Sequence, residues 1–385
     1  MSLNNASVKL NISDYSDDSE DETSNKINSF IDENKYSTCI IWHDVYKKIE
    51  ISYISKSILR DKYFERIKNI CQFKSIQLLF NHFHSVYDHC IGAAYLMRLL
   101  CRQLMRKKML TECESLNLEL SALFSGIGYY FYTYCYDYAN AVNNKPRNSL
   151  IKSMELTGQI LKNYGFDEND IKQICSFLNY TADDKYGAIL NNYLNVHKLN
   201  IILCLRYHLR IDNDSGNDYI DIYDNCLLIS NELVFNMRNK NIINKIIKLE
   251  YILYNNYIEP SLSISCMLID LIEIIRYYFN DTDEYIFNMN DGDIFVMIYN
   301  NNDTKLNGAK EIFNKILDKN NKIYKNVSDC SLKDCDLDNS LYFHIKPDAL
   351  NINLSCNAET PKLKYHKNGK LIDNIINREK IYIKE

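Results

Sequence analysis

Glycine and proline are scarce: 10 and 4 in a chain of 385 residues. That scarcity argues against a turn-rich β-sandwich and against a disordered low-complexity chain. Cysteine is present (13, an odd number), but no CxxC pair and no Cys/His cluster at zinc-finger spacing occurs. The cysteines therefore read as reduced thiols, mostly buried. No run of about 18 apolar residues exists, so no membrane-spanning helix is expected. Residues 1–12 lack a basic stretch followed by an apolar one, so no signal peptide is expected and an intracellular location, cytoplasmic or nuclear, is. A large excess of positive charge is also missing. The formal net charge is −5, which disfavours nucleic acid as the main partner. Neither a phosphate-binding glycine loop nor a Gly-x-Ser-x-Gly turn is found. Gly126-Ile127-Gly128 lacks the third glycine and the preceding strand of a dinucleotide loop.

What is present is apolar periodicity in a chain long enough for one large domain or two. Residues 1–37 read as a polar, disordered tail with an acidic Ser/Asp run, Asp14 to Thr23, open to phosphorylation or to a partner. The pattern then predicts two short strands, 39–42 and 49–51. Helical spacing follows over 53–71, 91–109, 116–124, 149–164, 167–178, 189–209, 242–254, 262–279 and 309–319. Gly165 falls where a helix C-cap is expected. The apolar run 227–235 suggests a strand, 293–299 is open between strand and helix start, and 341–345 and 350–354 alternate as strands do. The expected class is mainly α: a helical core over 38–280, then a smaller α+β region over 281–385.

Three groups of residues invite a chemical reading. His43-Asp44 is a literal His-Asp pair, but beside Trp42 and Val45 at a strand end it reads as a surface turn. His82, His84, Asp88 and His89 are dense enough to hold a transition metal, although no second cluster lies downstream. Arg98, Arg102, Arg106, Lys107 and Lys108 form a basic helix face that reads as solvated, with single-stranded nucleic acid as the functional alternative.

Ser85 to Asp137 then carries a resemblance. Phe64 to Gln72 (FERIKNICQ) is similar to FQRLRYIKQ of the SAM-and-HD-domain dNTP triphosphohydrolases. Tyr87 to Leu96 (YDHCIGAAYL) is similar to that family's FEHSLGVGYL, and Leu123 to Asp137 matches its LCHDLGHGPFSHMFD in length and apolar positions. Asp293 to Phe295 and Asp303 to Ile312 resemble a downstream stretch. The order and spacing of these matches, from about 39 to about 345, identify the chain as a degenerate member of that HD family.

The resemblance implies a helical HD-domain fold and a metal held by a His, a His-Asp pair and a later Asp. The first position is His89. The pair has become Ser125-Gly126, and the later Asp has become His197. Two pocket histidines are replaced by Tyr129 and Tyr134. The resemblance places the surviving Gln72 at the substrate sugar and Lys198 at the phosphates. Regulatory nucleotide positions fall on Cys39, Arg60, Glu65 and Lys68, where the phosphate-binding Lys and guanine-reading Asp are missing. One ligand of four cannot hold a hydrolytic ion and leave a place for water.

The expectation is thus a catalytically inactive relative: no catalytic residue, no bound metal and no cofactor. Its role is interaction, scaffolding or modulation, through self-association or a protein partner. A nucleotide is permitted but not expected, and neither nucleic acid nor membrane is. Two alternatives remain: a nucleotide- or single-strand-binding module without hydrolysis, and a metal-dependent phosphohydrolase with its site moved to His82, His84, Asp88 and His89.

Overall fold

The computed structural model describes residues 36–142, 148–182, 184–212, 216–280, 283–318, 362–367 and 370–375. The acidic run and the expected strands at 341–345 and 350–354 lie outside the described residues.

The fold is mainly α, as the periodicity predicts. It opens with an antiparallel hairpin, β1 (Thr38–His43) and β2 (Lys47–Ser52), with Cys39 opposite Ile51 and Trp42 opposite Lys48. The stretch 53–71, expected as one helical segment, is two short helices, α1 (Tyr53–Ile58) and α2 (Lys62–Ile67). Asp61 causes the break: its carboxylate accepts from the Tyr63 N–H and starts a new helix. A third short helix, α3 (Lys74–Phe80), leads into an extended loop.

The centre of the fold is α4 (Val86–Arg106), which packs antiparallel on α5 (Glu112–Phe124). Ser85 caps α4, and Thr111 with Glu114 forms a capping box on α5. Val86, Ala93, Leu96, Leu100 and Leu104 are buried on α4. Each large apolar side chain there contributes about 1.5–3 kcal/mol. After α5 the chain turns through 125–133 into α6 (Tyr134–Val142), followed by α7 (Asn148–Asn163) and α8 (Glu168–Leu178). Gly165 has φ 74°, the left-handed value its expected C-cap role requires.

The expected helix 189–209 is also two, α9 (Asp184–Leu190) and α10 (Val196–His208), because Asn195 caps the Lys198 N–H and restarts the helix. The run 227–235 is a hairpin of β3 (Leu227–Ile229) and β4 (Glu232–Asn236). Helix α11 (Lys240–Leu253) passes through a π-helical turn, Tyr254–Ile258, into the apolar helix α12 (Glu259–Tyr278). Three helices follow: α13 (Asp283–Asn288), α14 (Asp291–Asn300) and α15 (Asn307–Leu317). The open question at 293–299 is settled as helix by the capping box of Asn290 and Asp293. A last hairpin, β5 (Lys362–Lys367) and β6 (Lys370–Ile375), adds to β4 in parallel through Phe235–Tyr365.

No helix among the described residues is long and apolar enough to cross a membrane. The ten described cysteines are free thiols.

Candidate functional site

The first turn of α4 faces α10. The two helices approach closely: a Cβ on Gly92 would fall 2.3 Å from Oδ1 of Asn200. Asn200 organises the contact. Its amide donates to Nδ1 of His89 (3.0 Å) and to the His89 carbonyl (2.9 Å), and its Oδ1 accepts from the Tyr46 hydroxyl (2.9 Å). His89 therefore carries its proton on Nε2. The ring of His197 lies 5.8 Å from that of His89. Burial pushes both imidazoles down: His89 well below its ordinary value, helped by His197 and His43, and His197 to about 4.

The two positions that the resemblance aligns with the His-Asp pair end α5. The Ser125 hydroxyl donates to the Ala122 carbonyl (2.8 Å) in the helix's last turn. Gly126 packs where no side chain fits. A Cβ there would stand 2.6 Å from Cγ1 of Val86 and 2.9 Å from Sγ of Cys90. An aspartate at 126 is thus excluded by the packing of α4, not only missing from the chain.

The remaining candidates bond to one another. Gln72 Nε2 donates to the Tyr134 hydroxyl at 2.8 Å, and the Tyr129 and Tyr134 rings meet edge-on at 5.5 Å. Lys198, expected at phosphates, is buried with its ammonium 2.7 Å from Oε1 of Glu250 and 3.5 Å from the centre of the Tyr193 ring. The other Glu250 oxygen accepts from the Tyr193 hydroxyl (2.6 Å).

His43 corrects the surface-turn reading. It is buried: Nε2 donates to the Asp88 carbonyl (3.0 Å) and Nδ1 accepts from the Val45 N–H (3.1 Å), so the ring stitches the hairpin turn to α4. It joins a larger assembly. The His84 ring lies 6.5 Å from His89 and 5.2 Å from His208, and His82 stacks on His208 at 4.7 Å. Six of the eight histidines of the chain thereby gather between β1, the 81–85 loop, α4 and α10. Sequence reading missed the convergence, though one signal existed: His197 and His208 are three helical turns apart and share a face of α10.

Density of histidine does not make this a metal centre. Among the described residues, no group of three or more His, Cys, Asp or Glu is arranged to hold a metal ion. The donor set explains it. Asp88, the carboxylate nearest in sequence, accepts from Ser85 Oγ (2.6 Å) at the start of α4 and serves the cap. His84 is fully buried with neither ring nitrogen hydrogen-bonded, and burial holds its pKa well below the ordinary value. The residues present do not fit a hydrolytic metal, at the HD position or the relocated one.

The basic face of α4 is also not the solvated stripe expected. Arg98 donates to the fully buried Glu119 (2.6 Å), which further accepts from Ser52 N–H (2.8 Å) and Ser55 Oγ (2.7 Å). Arg102 pairs with Glu50. Only Arg106, Lys107 and Lys108 of the five are exposed. At the positions the resemblance gives to a regulatory nucleotide, Glu65 pairs with Lys68 (2.6 Å), Arg60 is exposed and the Cys39 thiol faces the carbonyls of β2.

No protein-family model matches this chain, and no curated protein matches it.

Proposed function

We propose that the protein is a non-hydrolysing relative of the HD-domain dNTP triphosphohydrolases that works by association, with itself or with a protein partner. One observation carries the reading: five of the positions the resemblance places in the active pocket are taken up by the chain's own packing and bonds. Ser125 bonds its own helix, Gly126 has no room for a side chain, His89 is held by Asn200, Lys198 by Glu250, and Gln72 by Tyr134. Such groups hold the fold, and a triphosphate or an ion would have to displace these contacts.

An open strand edge supports association. Among the described residues β1 pairs only with β2, and it presents Ile40 and Trp42 at 67% and 63% exposure. Exposed apolar residues on an unpaired edge are a docking feature. The strand 341–345, first expected in this role, lies outside the described residues.

Light scattering at micromolar concentration, with and without GTP and dATP, tests the proposal beside a dNTP hydrolysis assay and elemental analysis. The expected result is an assembly indifferent to nucleotide, no triphosphate release and no stoichiometric transition metal. About one Fe, Mn or Zn per chain with turnover overturns the non-hydrolysing reading. Assembly that appears only with nucleotide overturns the reading of Cys39, Arg60 and Glu65. A strict monomer removes self-association, and a pull-down from the native cell then decides on a partner.

A further inference from the structure

An open groove of about 540 Å³ lies between the β1–β2 hairpin, α4 and the 3-10 segment Gly216–Tyr223. That is room enough for a small ligand or a short stretch of peptide. Trp42, Lys47 and Lys48 line it from the hairpin, Tyr95 from α4, and Ile220 and Asp221 from the 3-10 segment.

The hairpin register explains the hairpin side of the groove. Trp42 lies directly opposite Lys48, so both exposed side chains stand on one face of the ribbon. The Lys47 ammonium lies 5.8 Å from the centre of the Trp42 ring and 4.8 Å from that of Tyr207. It donates to the Tyr207 hydroxyl (3.0 Å) and the Asp44 carbonyl (2.7 Å), both uncharged acceptors. Among the described residues no carboxylate forms an ion pair with Lys47 or Lys48. Asp221 is the single carboxylate of the lining, so two ammoniums against it leave the groove cationic. Such a surface attracts a segment of negative charge.

The chain itself contains the complement. Asp14 to Glu22 holds six carboxylates in nine residues with no Lys or Arg, the densest acidic stretch of the sequence. It also lies just ahead of the hairpin. From Glu22 to Thr38 the backbone can reach about 50 Å, whereas Trp42 stands about 13 Å along β1 from Thr38. A tether of this kind gives an effective concentration on the order of millimolar, so a contact of only about 0.1 mM affinity is closed most of the time. We propose that this acidic run docks in the groove of its own chain, with its carboxylates on Lys47 and Lys48 and its backbone over Trp42. The inference goes beyond the proposed association and does not rest on it, because a monomer can hold its own run.

Trp42 is the single tryptophan of the chain, so its fluorescence reports on this groove alone. Acrylamide quenching of the full chain at low salt tests the proposal. The comparison is a full-length variant with Asp14, Asp17, Asp18 and Asp21 changed to Asn and Glu20 and Glu22 to Gln, which alters no described residue. The quenching constant of the parent is expected to be about half that of this variant. Lys47→Gln with Lys48→Gln should raise the parent's constant equally, and adding the neutral run to that double variant should raise it no further. Salt at about 1 M should bring the parent to the variant's value, since it screens charges beyond about 3 Å. Equal constants for parent and neutral-run variant overturn the proposal, as do additive effects of the run and the lysines. A difference that vanishes on dilution places the run in a second copy and overturns the assignment to its own chain.

Discussion

Oε1 of Glu250 on α11 lies 2.7 Å from the ammonium of Lys198 on α10, and both side chains are buried. This ion pair turns a residue expected to meet substrate phosphates into a bolt between two helices. Removing one partner strands a buried charge.

Lys198→Met is therefore expected to destabilise the protein by about 3–5 kcal/mol, and Lys198→Met with Glu250→Leu to recover most of that loss. Urea unfolding of the two variants measures it. A single variant as stable as the parent would show that the pair contributes nothing.

The same reasoning divides the cations of α4. Arg98→Met leaves Glu119 unpaired in the core and is expected to cost about 3–5 kcal/mol. Arg106→Ala, on the exposed end, is expected to stay within about 0.5 kcal/mol. Equal effects at both positions would contradict the separation of the face into paired and free halves.

Installing the ligands that the resemblance implies, with Ser125→His, Gly126→Asp and His197→Asp, is expected to fail. The new Cβ at 126 meets Val86 and Cys90, and the charge enters a buried place, together costing several kcal/mol. The triple variant should melt well below the parent and hydrolyse no measurable dNTP. Turnover on the order of 10 per second would refute the proposed non-hydrolysing role.

Stability should depend on pH through the histidine assembly. His84, His89 and His197 are neutral when folded, with pKa values held below the ordinary 6.5 by burial. The unfolded chain takes up protons near pH 6.5 that the folded chain refuses. Their contribution is thus full above that pH and is lost as pH falls toward about 4. The three together account for on the order of 3 kcal/mol between about pH 6.5 and about pH 5.5. Denaturant midpoints across that range measure the slope, to which His43, His82 and His208, also pushed down by burial, add, and His84→Leu should flatten it in part. A flat profile in the parent chain would mean that the rings are not sequestered.

The long periodic segments were legible because amphipathic spacing survives any environment. The helices α4, α5, α7, α8 and α12 follow from their apolar rows, and Gly165 from its freedom to take φ 74°. The breaks at Asp61 and Asn195 were written in the chain as capping residues, but apolar periodicity on both sides hid them. At 291–300 the reverse held, with a capping box deciding a segment whose apolar pattern was ambiguous.

The residues by themselves determined a mainly helical fold and the identities Ser125 and Gly126, which the resemblance aligns with a His-Asp pair, because both are properties of local pattern and identity. Only the tertiary structure decided what the other polar residues do. Lys198 meets Glu250, and His43 and His208 join His84 and His89, through contacts between segments far apart in sequence. The physical reason is the closeness of α4 to α10: Gly92 admits Asn200, Asn200 holds His89, and the rings around them must then be buried uncharged.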